Sequence, residues 1–524
     1  MFTISSSTAQ HNSSKVELVW GSEHKESKTY SLRDIVGYDE TGFYALKTKI
    51  NSVFNKKTST VRIQHFDHDV NELRSADVIL TLDGRAMDFQ SIVQINDGLL
   101  LFSSQVNSKL GKNALYVQSV DKKTLRTDKK IKVAELNILK GSGLVKSANT
   151  KTGGFDIKLS RDSSKLMIYY NVPSRTKENE EYGFHVFDKS LNKIWEKKFV
   201  LPYSQELFEV VNHKVDKNGN VYLLGKLYNK IKKNRRKGEA NFKYLVISYK
   251  KEGTEIKEYP IDLGGHFLTD MQIAINDNQD IICGGFYSEL GTYSVKGSYF
   301  LKIDGETARV ESTNFKEFQI DFITQNMKRG EESKARKQEV KGKNVELSNY
   351  QLSDIIIKDN GGAILIGEQF FVTTYTGTSS DGSRYTVSKY FYNDIIVINI
   401  SSSGQIEWAE KIAKSQRTTN DGGIFSSYAL AVAKNKLYFV FNDHPANLSE
   451  ERKGIVHTFT RSKKTIVVLV EMDGSGNQKR EALVSSGDTN MLTKPIVCEQ
   501  ISSSEMILFS QRKKIQSFAK MIFR

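Results

Sequence analysis

Apolar and polar positions along this chain repeat one phrase: a short apolar run, a tight polar turn, then a second apolar run. It reads IVGYDETGFYALKTK from Ile35, SIVQINDGLLLFSSQ from Ser91 and IKLSRDSSKLMIYYN from Ile157. It returns as NHKVDKNGNVYLLGK from Asn212, QIAINDNQDIICGGF from Gln272 and IIIKDNGGAILIGEQ from Ile355. The last two copies are LAVAKNKLYFVFND from Leu430 and CEQISSSEMILFSQR from Cys498. Strand-length apolar runs around a Gly/Asn/Asp/Ser turn predict β-hairpins. Copies spaced by roughly 55 to 85 residues predict a propeller or an array.

A second hairpin follows each of the first seven copies, as in YGFHVFDKSLNKIWEKKFV and TIVVLVEMDGSGNQKREALV. One repeat is therefore four antiparallel strands, A to D, the size of a propeller blade. The eighth copy is short of one strand: after its first hairpin only FAKMIFR remains, from Phe518. KVELVWG, from Lys15, has the pattern of the D strands KIWEKKF and IEWAEKI. The expectation is an all-β propeller of eight blades, closed by the N-terminal strand, because closure removes exposed sheet edges. Seven blades is the alternative, should that strand dock elsewhere. Residues 15–524 read as one domain, with an insertion at 314–350 between blades five and six. Residues 1–14 read as a signal-peptide remnant or a disordered tail.

In such a blade the A–B and C–D turns share one end, and the B–C and D–A connections share the other. The long connections here are B–C segments at 172–182, 229–241, 288–296, 371–393 and 443–464, plus the D–A segment 314–350. All leave the same end, where a scaffold presents binding residues. Three stand out. The first is a basic tip at 230–238, with Lys230, Lys232, Lys233, Arg235 and Arg236. The second starts at Phe315. Its Phe315, Phe318, Phe322, Ile323 and Met327 recur near helical spacing, predicting an amphipathic helix on the ring. Its basic second half should project into solvent or be mobile. The third, 370–394, mixes Tyr375, Arg384, Tyr385, Tyr390 and Tyr392 with Ser, Thr and Gly, the composition of adaptable recognition loops. Read singly, basic tips are solvated and hairpin aromatics pack on their own blade. Convergence on one face is the argument for partner binding.

An Asp recurs where strand A begins: Asp34, Asp156, Asp270 and Asp354, with Asp88 in a similar place. Strand A is innermost, so these carboxylates should line the channel mouth. Each could accept backbone hydrogen bonds, as Asp does in turns, or the set could hold a cation. His65, Asp67, His68 and Asp69 resemble a metal cluster, but they fall at a C–D turn, where side chains diverge. No metal site or cofactor is expected. No GxSxG, HExxH, P-loop or GxGxxG motif is present, so no catalytic residue is assigned.

Of 524 residues, 76 are Lys or Arg and 61 Asp or Glu, a net charge of +15 that favours anionic partners or simply reflects a Lys-rich surface. Cys283 and Cys498 lie in repeats five and eight, which are not neighbours in a ring, so no disulfide is expected. No apolar run reaches the ~20 residues of a membrane helix. FTISSSTAQ ends in a small-residue cleavage pattern without its charged and apolar regions, predicting a signal peptide whose start lies upstream of Met1. A periplasmic or secreted location follows.

At YNDIIVINISSSGQIEWAEKIAKSQ, 392–416, the chain resembles large propeller-like envelope proteins of the Bacteroidota. The resemblance extends to IIIKDNGGAILIGEQFF and the basic segment before it, about the middle third of the chain. It implies no catalytic residues. Some proteins of that group serve export and surface machinery, so it implies a protein partner, such as an outer-membrane or secretion complex. The expected function is a non-enzymatic envelope scaffold. Alternatives are a hydrolase or lyase acting on an anionic polysaccharide, and a nucleic-acid-binding propeller, which an exported location disfavours.

Overall fold

The computed structural model describes residues 15–26, 29–49, 59–141, 150–174, 178–229, 241–290, 293–307, 309–449, 455–461, 465–485 and 491–524. The inner strands of each repeat carry apolar side chains on both faces. Ile281–Ser288 and Ile466–Met472 are buried along their whole lengths. Outer strands alternate instead: Lys193–Ser204 buries Trp195, Phe199 and Leu201 and turns lysines outward. A sheet that is apolar on both faces needs a neighbour on each side.

Among the described residues, eight antiparallel sheets of four or more strands meet this need, one on each repeat. Their first and last strands are Tyr30–Asp39 and Glu72–Ile79, Asp88–Ile95 and Ile131–Asn137, Gly154–Leu159 and Lys193–Ser204, then Phe208–Val215 and Glu255–Ile261. The next three are bounded by Phe267–Ile275 and Val310–Glu317, Tyr350–Leu352 and Ile406–Thr419, and Ala429–Ala433 and Gln478–Ser485. In the eighth, Glu505–Arg512 pairs with Ile515–Phe523, which pairs in turn with Val16–Trp20. The register of that last pair sets Val16 against Phe523 and Trp20 against Ala519.

An apolar cluster fills each junction between successive sheets. Tyr222, Val246, Met271 and Leu301 join the fourth to the fifth. Val16 and Leu18 lie among Val440, Leu469, Leu508 and Met521, joining the seventh to the eighth. Leu32, Phe43 and Phe66 pack on Val497, Phe509 and Phe518, so the eighth sheet rests on the first. Cys283 and Cys498 are free thiols, and burial pushes both up to about 12.

One device recurs at the tight-turn end. Asp67, Asp188, Asp216 and Asp473 each accept the N–H groups two and four residues on, and the Asn four residues on donates its side chain back. Asn276 and Asp280 make the same turn with the residues exchanged. The spacing Asp-x-x-x-Asn is legible as DHDVN, DKSLN, DKNGN and DGSGN. In the first A–B turn, Gly42 adopts φ +130, and a Cβ there would fall 1.9 Å from the Phe66 carbonyl oxygen.

The sixth and seventh sheets also share a polar seam. Lys414 is fully buried and donates to Glu368 at 2.6 Å, to the Tyr392 carbonyl at 3.0 Å and to Gln416 at 3.2 Å. Removing either partner strands the other charge, at a cost of about 3–5 kcal/mol. Asp443, buried, pairs with Arg480 at 2.9 Å. Lys411 donates to the Ile323 carbonyl at 3.2 Å. Burial brings the Lys411 ammonium down to about 8, despite the opposing charge of Asp394. Burial, with Lys47 and Arg461 nearby, does the same for Lys494.

Two outcomes follow. Deleting residues 1–21 should lower the melting temperature by several degrees, since it strips Val16 and Leu18 from a junction and opens a strand edge. An unchanged melting temperature would contradict closure by this strand. Lys411 and Lys494 bind their protons more weakly folded than unfolded. Between about pH 8 and pH 10 the unfolded chain therefore holds more protons, and these groups make stability rise with pH. Denaturant midpoints should climb across that window in the native chain and climb less in a K411M/K494M double variant. Equal slopes would overturn this.

Candidate functional site

Residues 370–394 form a paired two-stranded ribbon rather than an irregular loop. Strand Ala363–Thr378 runs unbroken into a turn and returns as Arg384–Ile400. The reason lies in composition: Val, Thr, Tyr and Phe favour strands, and SSDGS supplies a self-sufficient turn. There Asp381 accepts from Ser379 Oγ at 2.6 Å, Ser383 N at 3.0 Å and Ser383 Oγ at 2.7 Å, and these bonds hold its carboxyl down at about 2. The first six residues, 363–368, are buried in the blade, and exposure rises towards the tip. Ile406–Thr419 backs the root as a third strand as far as Lys389.

Pairing sorts the side chains onto two faces. Phe371, Thr373, Tyr375 and Gly377 lie opposite Phe391, Lys389, Val387 and Tyr385. Phe371 and Phe391 stack at 4.5 Å, the Lys389 ammonium sits 5.4 Å from the Tyr375 ring, and the Tyr385 ring covers Gly377. Tyr375 is 48% exposed and Tyr385 47%. Arg384 is exposed on the other face. Tyr390 and Tyr392 are half-buried at the root. Tyr392 packs 4.6 Å from Phe370, and its ring lies so close over Gly423 (φ +73) that a Cβ there would come within 2.6 Å. The five ribbon residues expected to bind thus divide into an exposed tip set, Tyr375, Arg384 and Tyr385, and a supporting pair.

The insertion inverts the sequence reading. Phe315 belongs to the strand Val310–Glu317, and the expected helix shrinks to Ile320–Thr324, α1. The polar half, expected in solvent or mobile, forms the longer helix Arg329–Val340, α2. Arg336 ties it to the rest of the insertion: it bonds Glu332 at 2.9 Å within α2, and Asp321 at 2.7 Å and Thr324 at 3.1 Å on α1. Ala335 is the buried residue of α2, while Lys334, Lys337 and Lys341 are exposed. Asn326 reaches Asp394 at 3.4 Å, and the Asn349 carbonyl accepts from Phe370 N at 2.8 Å, which seats the insertion at the ribbon root. The basic tip, with Lys230, Lys232, Lys233, Arg235 and Arg236, lies outside the described residues.

The strand-A carboxylates do not form one ring of ligands. Asp270 accepts from Leu352 N and from its neighbour Met271 N, each at 2.9 Å, the backbone role Asp plays in turns. Asp156 lies 3.0 Å from His213 of the next blade. Asp354 meets Lys214 at 2.9 Å, and Arg161 donates to the Ile357 carbonyl at 3.3 Å, so the sixth inner strand reaches across to the fourth and third. Asp34 has Arg33 at 3.6 Å, and burial raises its carboxyl. Among the described residues, no three His, Cys, Asp or Glu side chains gather at metal distance. Asp67 is taken up by its turn, His65 stacks on Tyr44 at 4.4 Å and His68 bonds the Glu40 carbonyl at 2.8 Å. The buried ionisable groups instead cluster at the ribbon root, where Lys414, Glu368, Asp394 and Lys411 bond one another's elements. Sequence reasoning missed them, because each Lys in IEWAEKIAKSQ looks like any outward-facing strand residue.

No family model matches the sequence, and no curated protein matches it. Among solved structures, the chain is similar to the β-propeller domain of the Trilobed protease from Pyrococcus furiosus, at 13% identity and a TM-score of 0.36, over 88% of this chain and 98% of that one. It is similar to the WD40 domain of SCAP from fission yeast at 6% identity and a TM-score of 0.41, over 99% and 97%. It is also similar to a Pyrococcus horikoshii acylaminoacyl peptidase, at 10% identity and 0.36, over 94% of this chain and 60% of that one. The chain is a mostly-β propeller, and likeness at this level carries no activity across.

Proposed function

We propose that this protein is a non-enzymatic binding scaffold of the cell envelope or periplasm, and that it engages a protein partner through its long-connection face. The observation that carries this reading is the ribbon: half-exposed tyrosines held on a paired strand hairpin whose root is backed by a third strand. Tyrosines supply contact area at low entropic cost. A ribbon already ordered spares the partner interaction much of the cost of fixing a loop. Lys389 beside Tyr375 and the lysines of α2 favour an acidic partner surface, and the net charge of +15 speeds its approach. The envelope location rests on the Bacteroidota resemblance and the FTISSSTAQ pattern. A polysaccharide-acting enzyme is the second reading, since an exposed tyrosine under a lysine ammonium also suits acidic sugars.

The test is capture from native envelope extract, with the partner identified and then bound in purified form. A Y375S/Y385S variant should lose about tenfold or more in affinity, as central aromatics do, with a melting temperature within about a degree of the native one. Charge reversal of Lys334, Lys337 and Lys341 should slow association. The control lies at the opposite end, in Lys123 and Lys189; Lys122 is unsuitable because it anchors Asp39 at 2.6 Å. Equal losses in the control and in the ribbon variant would overturn the one-face reading. Turnover of an acidic polysaccharide would favour the enzyme.

A further inference from the structure

The ribbon has two edges, and they differ. The edge of Arg384–Ile400 is covered by Ile406–Thr419 as far as Lys389, and Asn420 N reaches the Ser388 carbonyl at 2.9 Å. The edge of Ala363–Thr378 is covered only up to Phe370, whose N–H takes the Asn349 carbonyl. By the period of two, Val372, Thr374, Thr376 and Thr378 then turn their N–H and C=O groups outward. Among the described residues nothing pairs with them. The segment reads VTTYTGT: no charge, no Pro, and the strand's one bulge lies earlier, between Glu368 and Phe370. Among the described residues, no charge, proline, bulge or covering segment blunts this edge.

We propose that this edge is a homodimerisation site, at which a second copy of the chain adds its own 372–378 segment as an antiparallel strand. The argument is self-complementarity. Outward backbone groups sit on even-numbered residues, so hydrogen-bonded pairs join even to even. The register that uses the whole edge sets Thr374 against Thr376 and Val372 against Thr378. The two-fold axis then falls on Tyr375, and the two Tyr375 rings meet as a cross-strand aromatic pair. Thr373 faces Gly377, leaving room for the rings. No charge opposes its like on the paired strands. The like charge of the two bodies is held off, because Tyr375 stands five residues, about 17 Å, beyond Phe370, and screening at physiological salt acts within about 8 Å. A seven-residue pairing buries less than the ~800 Å² per partner of a standard interface, so the dimer is concentration-dependent. This goes beyond partner capture and does not depend on it.

Sedimentation velocity of the full chain, from about 1 to 200 µM, should show a growing dimer fraction. A T376P variant should stay monomeric over that range with an unchanged melting temperature, because it deletes only an outward N–H and Pro is tolerated on such an edge. Tyr375→Cys should cross-link copies on mild oxidation, since opposed residues of that pair lie about 4.5 Å apart. Thr378→Cys should not, because its counterpart is six residues away in register. The native thiols are buried and stay silent. A native chain that remains monomeric throughout would overturn the proposal. So would T376P dimerising like the native chain, or equal cross-linking by the two cysteine variants. If T376P does not fold, the cysteine pair decides.

Discussion

Strand Ile281–Ser288 has no polar face, and neither has Ile466–Met472. Sheets built on such strands cannot end in water on either side. Each must be covered twice, and a linear stack would leave two apolar faces bare. Packing the eighth sheet on the first removes both, at the contact of Phe43 and Phe66 with Phe509 and Phe518. The N-terminal strand serves the same end: Val16 and Leu18 fill a junction that the C-terminal strands alone leave incomplete. Burial at all the junctions together, rather than any single bond, holds the architecture.

That arrangement also separates two kinds of chain. At one end, Asp-x-x-x-Asn turns consume their own polar groups and leave little to offer a partner. At the other, connections are long, and one grows into strands of 16 and 17 residues that outrun their blade. The ribbon stands because its root is fixed three ways: by Ile406–Thr419 behind it, by the insertion at Asn349 and Asn326, and by Lys414 bonded to Glu368 and the Tyr392 carbonyl beneath. A buried ion pair of this kind adds specificity of position more than stability. It ties the aromatic platform to the ring.

Much of the fold was legible in the sequence because hairpin grammar is local: an apolar run, a turn residue, an apolar run. The strand pairing at the two termini was legible for the same reason, since KVELVWG matches other D strands in pattern. The ribbon is harder to read, because the Ser, Thr and Gly of its tip resemble a loop, although Thr and Tyr are strand formers and DGS closes a turn by itself. In the insertion, apolar spacing is a poor guide to the helix. Phe315 and Phe318 are held by strand and loop, whereas α2 has one buried side chain, Ala335, and is tied to α1 through Arg336 and Asp321. The strand-A carboxylates share a position in the repeat but meet different partners, His213, Lys214 and the Leu352 amide, and no periodicity reveals that.

Closure by the N-terminal strand is the claim on which the rest depends, and hydrogen exchange of the native protein reads it directly. Amides of Val16–Trp20 should exchange as slowly as those of Ile515–Phe523, to which they are bonded, because neither strand opens without the junction behind it. Exchange of Val16–Trp20 at the rate of a free chain, beside a protected Ile515–Phe523, would contradict the account.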